Sequence, residues 1–165
     1  MPGVARAVLE LGRPRKTMAS PTANLLYSYF LESGVGMEIP IGTKLEKKLL
    51  VDNEVAIDFL GVEGARVLAT PWMIGWMERT CRDAVLPLLD AGHDTVGTHV
   101  DVYHLAATPM GMTVTFTAEV IGVEGRRVNF RVEAWDEKEK CGEGTHQRAV
   151  VDIARFTAKM RGKLG

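Results

Sequence analysis

The stretch that decides the fold is Ala69-Thr70-Pro71-Trp72-Met73-Ile74-Gly75-Trp76-Met77-Glu78-Arg79-Thr80-Cys81, running on to about Leu89. It reads as the one long helix of the chain. Thr70 is expected as its N-cap, because a threonine hydroxyl accepts from free N–H groups of the first turn. Pro71 suits the first helical position, where the missing N–H costs nothing. At 100° per residue, Ile74, Cys81 and Val85 fall on one side, and Met77, Ala84 and Leu88 widen that apolar arc. Arg79, Arg82 and Asp83 fall opposite. Glu78 stands at the edge of the apolar stripe. On this helix alone, the simpler reading is a boundary glutamate with its stem buried and its carboxylate in water. The alternative is a carboxylate in an apolar wall, its pKa raised by desolvation, fit to act as base or nucleophile.

Four stretches with period-two alternation follow the helix. In the first, Thr98, Val100, Val102, His104 and Ala106 share one face, and His99, Asp101 and Tyr103 the other. In the second, Val114, Phe116, Ala118 and Val120 alternate with Thr113, Thr115, Thr117 and Glu119. Gly122-Val123-Glu124-Gly125 turns the chain into the third, where Val128, Phe130, Val132 and Ala134 alternate with Arg127, Asn129, Arg131 and Glu133. A charged loop, residues 136–143, leads to the fourth strand, expected from Gly144 to about Phe156. Ahead of the helix, residues 43–51 read as a strand with mixed faces, and residues 54–64 are ambiguous. After it, residues 90–94 read as a loop. A strand, one apolar helix and four antiparallel strands make an α+β fold. A flat sheet cannot wrap one helix, but a curved one can, and that is the hotdog architecture. Such domains usually dimerise so that two sheets join.

Composition narrows the function. The chain has 165 residues, enough for one domain with a real core. A net charge of −1 implies no general attraction to nucleic acid. No apolar run is long enough to span a bilayer. Two cysteines are too few for a disulfide framework, which points to a reducing, cytoplasmic compartment. Cys81 falls on the apolar helix face and reads as a small core residue. Residues 1–36 differ in character: Gly12-Arg13-Pro14-Arg15-Lys16 is basic and broken by proline, and residues 19–24 have loop composition. They read as a poorly ordered extension without a secretory apolar core, ahead of a domain over 37–165.

His104 lies on the apolar face of its strand, which must look at the helix. His104 and Glu78 therefore both enter the layer between helix and sheet, with Thr70 at its mouth. A lone core histidine bonded to a carbonyl is the plain reading. Several polar groups in one apolar layer need partners, however, and together they supply a hydroxyl, a base or nucleophile and a proton shuttle.

Several separated motifs then resemble one family in order: Thr70 to Glu78, Gly97-Thr98-His99-Val100, His104-Leu105-Ala106-Ala107-Thr108-Pro109, Val123-Glu124-Gly125-Arg126-Arg127 and Gly144-Thr145-His146-Gln147-Arg148-Ala149-Val150. Over about residues 43–160 the chain resembles the fluoroacetyl-CoA thioesterase-like hotdog proteins. The resemblance implies hydrolysis of small acyl-CoA thioesters by a catalytic Thr70, Glu78 and His104, with Gly97 beside the acyl group. Coenzyme A enters as part of the substrate, with no metal and no other cofactor. Its polyanionic nucleotide calls for a basic rim, for which Arg126, Arg127 and Arg148 are candidates. The family's aromatic lid before the threonine is matched only by Phe59, followed by Leu60-Gly61-Val62-Glu63-Gly64. The resemblance thus carries thioester hydrolysis and leaves the acyl selectivity open. The rival readings are a non-catalytic acyl-CoA binding or sensing protein, and an enoyl-thioester hydratase, whose Asp/His pair and overhanging segment are not found. A homodimer is expected, with a tetramer as the larger alternative, and no nucleic-acid or membrane partner. Trp72 and Trp76, off the apolar stripe, are expected to lie against a partner subunit or against residues 54–64. Removing residues 1–36 is expected to leave folding and activity intact, as checked by solubility, thermal unfolding and acyl-CoA turnover of the truncated chain. Insoluble or inactive protein contradicts the domain boundary.

Overall fold

The computed structural model describes residues 38–62 and 64–164. The extension expected over residues 1–36 lies outside them. Lys44–Leu50 forms β1, Thr70–Val85 α1, His93–His104 β2, Thr113–Glu124 β3, Arg127–Trp135 β4, Lys140–Asp152 β5 and Ile153–Arg161 α2. The strands form one antiparallel sheet in the order β1-β3-β4-β5-β2. The expected hotdog arrangement is present, with the long helix laid on one face of the sheet.

The core follows from two periodicities meeting. Along α1, Met73, Met77, Cys81 and Val85 are buried. They face Val114, Phe116, Ala118 and Val120 of β3 and Val128, Phe130, Val132 and Ala134 of β4, all fully buried. Register keeps these rows aligned: Phe116 pairs with Ala134, Ala118 with Val132 and Val120 with Phe130. Large residues thus alternate with small ones across the two strands. Thr80, also buried, returns its hydroxyl to the Trp76 carbonyl at 2.7 Å, which lets it enter the core without an unpaired group.

The structure corrects several expectations. Ala69, not Thr70, is the N-cap, and no side chain caps the helix. Thr70 lies one residue inside, and its hydroxyl is engaged elsewhere. The α-helix ends at Val85, and Leu86–Leu88 tightens to a 3-10 turn, because Pro87 has no N–H to continue the ladder. Trp76 packs within its own chain, stacked on Phe116 at 6.1 Å between ring centroids with Lys47 and Arg79 over its ring. The buried arc is therefore rotated toward Trp76, with Ile74 only half-buried at its other edge. Trp72 stays exposed.

The strand expected to reach Phe156 stops at Asp152. The Asp152 carboxylate accepts from the Arg155 N–H at 2.9 Å and caps α2, whose last turn holds Lys159 and Arg161. Strand β2 begins at His93, inside the expected loop, and a bulge between Gly97 and His99 breaks its alternation. Among the described residues no helix is long and apolar enough to cross a membrane.

Phe116 sits where α1, β1, β3 and β4 converge. Phe116→Ala is expected to cost about 3–5 kcal/mol, as for other buried phenylalanines, measured by denaturant unfolding. A loss under about 1 kcal/mol contradicts this account of the core.

Candidate functional site

Two polar clusters occupy the layer between α1 and the sheet. At the start of α1, the Thr70 hydroxyl and His104 Nδ1 share a hydrogen bond of 2.8 Å. His104 points inward as expected, since it pairs with Gly142, in register with the inward row of β5. Burial pushes its pKa down, with a smaller opposing effect of the backbone at Ala106, so the ring is neutral near pH 7. Its Nε2 is buried and has no hydrogen-bond partner among the described residues.

The second cluster surrounds Glu78. Its carboxylate Oε1 accepts from Arg148 Nη1 at 3.0 Å. Arg148 is 3% exposed, yet it is fully engaged. Its Nε donates to the Thr95 hydroxyl at 2.7 Å and its Nη2 to the Thr95 carbonyl at 2.7 Å. Its Nη1 also reaches the Glu78 carbonyl and His146 Nε2, each at 3.3 Å. The Glu78 side chain retains 43% exposure, so it is a half-exposed anion on a buried cation and not the desolvated carboxylate expected. Gly97 forms the notch that receives it. A Cβ on Gly97 would stand 2.7 Å from Glu78 Oε1 and 3.3 Å from His146 Cε1. Glu78 and Arg148 also line a cleft of about 370 Å³ with Arg79, Arg82 and Asp83.

The expected Thr/Glu/His set is thus brought together only in part. Thr70 meets His104, and Glu78 meets Gly97, Arg148 and His146. Eight residues of helix separate Thr70 from Glu78, a rise of about 12 Å. Seven residues of β2 separate Gly97 from His104, about 20 Å of strand.

Residues 51–154 match the family described as fluoroacetyl-CoA-specific thioesterase. A fluoroacetyl-CoA thioesterase of Streptantibioticus cattleyicolor is 48% identical over 101 residues, which span 61% of this chain and 73% of that protein. A solved structure of the fluoroacetyl-CoA thioesterase FlK superposes with a TM-score of 0.70 at 39% identity, covering 76% of this chain and 98% of that one. A thioesterase superfamily member from Thermus thermophilus gives 0.68 at 34% identity, covering 75% and 92%.

The chain belongs to the fluoroacetyl-CoA-specific thioesterase family.

Within this thioesterase fold, the three rim candidates stand apart. Arg148 is buried under Glu78 and does not reach a solvated rim. Arg126 is buried at the β3–β4 turn. Arg127 stands on the outer face beside Glu124, at 3.5 Å. The cations that flank Glu78 are Arg79 and Arg82, which the sequence placed on the solvated back of the helix. Arg82 is held by Asp94 through a forked contact at 2.9 and 2.5 Å. Arg79 lies over the Trp76 ring. Thr95 and His146 also escaped the sequence reading. The signal for His146 was its place two residues before Arg148, on the same inward row. Cys81 is fully buried, and burial pushes its thiol up to about 12, which rules out a thiolate nucleophile there.

Gly97→Ala tests the notch. The new methyl meets the far end of a flexible side chain, so the fold is expected to tolerate it while Glu78 is displaced. Turnover of an acyl-CoA should fall on the order of tenfold or more, as for a misplaced reacting group, with the thermal midpoint little changed. Unchanged turnover would remove Glu78 from the chemistry.

Proposed function

We propose that the protein hydrolyses small acyl-CoA thioesters, with Glu78 as base or direct nucleophile and the Thr70–His104 pair as its polar complement. The observation that carries this reading is the Glu78 carboxylate seated in the Gly97 notch on buried Arg148. Hydrolysis needs an attacking oxygen, stabilisation of the oxyanion and a proton for the leaving thiolate. Glu78 supplies the first, by activating water or by attack. His104, neutral, with its second nitrogen buried and without a partner among the described residues, is suited to polarise the carbonyl or to pass a proton, and Thr70 fixes its orientation. No further cofactor is called on, since coenzyme A belongs to the substrate. Arg79 is the cation placed to meet a substrate phosphate at the cleft. Cys81 and Cys141 are both free, which supports a reducing, cytoplasmic setting. Phe59, in the segment ahead of Thr70, is exposed.

The working unit in this reading is a homodimer. β2 is the last strand of the sheet, and Val100, Tyr103 and Leu105 along it are exposed. A long open edge of this kind invites pairing with another strand. We infer a twofold pairing along this edge that brings His104 of the partner subunit to the Gly97–Thr98 bulge, and so beside Glu78. Each complete site then takes Glu78 from one chain and Thr70–His104 from the other.

Glu78→Gln is expected to lower turnover by a factor on the order of 10² or more, with binding largely kept and the fold intact. Near-wild-type turnover in the folded variant sinks this mechanism. Glu78→Gln and His104→Ala chains, unfolded together and refolded as a mixture, should recover about a quarter of wild-type activity. Half of the dimers are then mixed, and each mixed dimer has one intact site of two. A monomer in light scattering, or a mixture no better than its components, overturns the shared site.

A further inference from the structure

We propose that His146 is a positioning residue, whose Nε2 holds the Arg148 guanidinium in the orientation that presents Nη1 to Glu78. The inference deepens the hydrolase reading and rests on it for its kinetic readout only.

Two of the three guanidinium nitrogens are fixed by Thr95 on β2, through its hydroxyl and its carbonyl. The third, Nη1, carries two N–H groups and faces the Glu78 side chain, the Glu78 carbonyl and His146 Nε2. An arginine can only donate, so Nε2 must accept. His146 is therefore neutral, with its proton on Nδ1. Burial and the charge of Arg148 both push its pKa down and hold it in that state, against a smaller opposing pull from Glu78. A protonated ring would set two cations 3.3 Å apart.

The imidazole is otherwise a poor choice for its place. It is 2% exposed, on the inward row between Phe130 of β4 and Val100 of β2. Among the described residues its buried Nδ1 has no partner of hydrogen-bonding geometry, although the His99 backbone acts on the ring. A leucine would fill a similar volume and leave no buried N–H poorly paired, which is costly. The contact that an apolar side chain cannot make is the one to Arg148. His146 Cε1 also lies against the Gly97 notch, 3.3 Å from where a Cβ would stand, so it holds both the cation and part of the wall of the seat.

The test compares His146→Leu with His146→Gln, whose amide oxygen can accept from Arg148. In His146→Leu, kcat for acyl-CoA hydrolysis is expected to fall on the order of tenfold, with KM changed less than about threefold. His146→Gln is expected to restore most of that loss. Nitrogen-15 NMR of the wild-type histidines supplies a readout that needs no turnover. It should show His146 neutral near pH 7, with Nδ1 protonated and Nε2 bare. A proton on Nε2 overturns the proposal, as does a folded His146→Leu protein with wild-type kcat. Should either variant fail to fold, the wild-type NMR still decides. A wild-type protein that hydrolyses no acyl-CoA but shows the expected tautomer defeats the hydrolase reading and leaves the His146–Arg148 contact standing.

Discussion

The site depends on one buried cation. Taking a guanidinium out of water costs several kcal/mol unless its donors are satisfied. Arg148 meets that demand with groups from three elements: Thr95 on β2, Glu78 on α1, and His146 on its own strand β5. The requirement ties the helix to the edge of the sheet through a polar contact with narrow geometry. It also explains the notch at residue 97. Glu78 reaches Arg148 only because no Cβ stands between the helix and β2 at that point, where an added methyl would come 2.7 Å from the carboxylate. The glycine, the glutamate and the arginine are one constraint seen from three strands of argument: backbone approach, charge pairing and burial.

Much of the fold was legible because alternation and helical period report burial directly. β4 alternates throughout and β3 as far as Val120, where a bulge follows, and their inward rows are those read from the sequence. Where the reading failed, a local feature broke the period. Along β2, Thr95 and Gly97 face inward at odd positions, while Val100, Val102 and His104 face inward at even ones. The bulge after Gly97 changes the parity, so the alternation read from Thr98 onward did not extend back through Thr95, and His93 and Asp94 read as loop. At the other end of the chain, Val150 and Val151 are both buried, and this continuous apolar run hid the end of β5. The signature of α2 was present in Asp152 followed by Ile153, Phe156 and Met160 at helical spacing, but strand propensity on its N-terminal side outweighed it.

The candidate site was legible to a similar degree and for the same reason. His104 stood out as a polar side chain on an apolar face, and Thr70 by its place at the helix entrance. Arg148 was misplaced because a charged residue in a strand reads as outward-facing, and only its partners reveal the reverse. Nothing local to Gly144-Thr145-His146-Gln147-Arg148 shows that Glu78, seventy residues earlier, waits opposite. Arg79 was misplaced for the complementary reason. The helix wheel puts it on the solvated back, but a cleft beside Glu78 makes that back a wall.

The start of α1 shows how a helix cap and a side-chain contact compete for one hydroxyl. A threonine at the helix entrance is well suited to cap the free N–H groups, and an alanine cap is weaker by about 1 kcal/mol. The chain nevertheless begins the helix on Ala69, with backbone contacts alone from Trp72 and Met73 to its carbonyl. Thr70 turns its hydroxyl to His104 instead. The lead into the helix is held by other means: Leu68 N–H donates to the Thr108 carbonyl and Ala69 N–H to the Val55 carbonyl. These contacts fix the first turn from outside and release the hydroxyl. On the far side of His104, Gly142 lets Met73 close on the sheet, since a Cβ there would stand 2.7 Å from the Met73 sulfur. The Thr70–His104 pair is thus set by backbone on one side and by a thioether on the other, with no charge within its own cluster. The Glu78 cluster is set almost wholly by charge. A neutral pair and a charged pair on the same helix, about 12 Å apart along its axis, stand too far apart to act on one carbonyl within a chain, which is why the proposed site draws them from two chains.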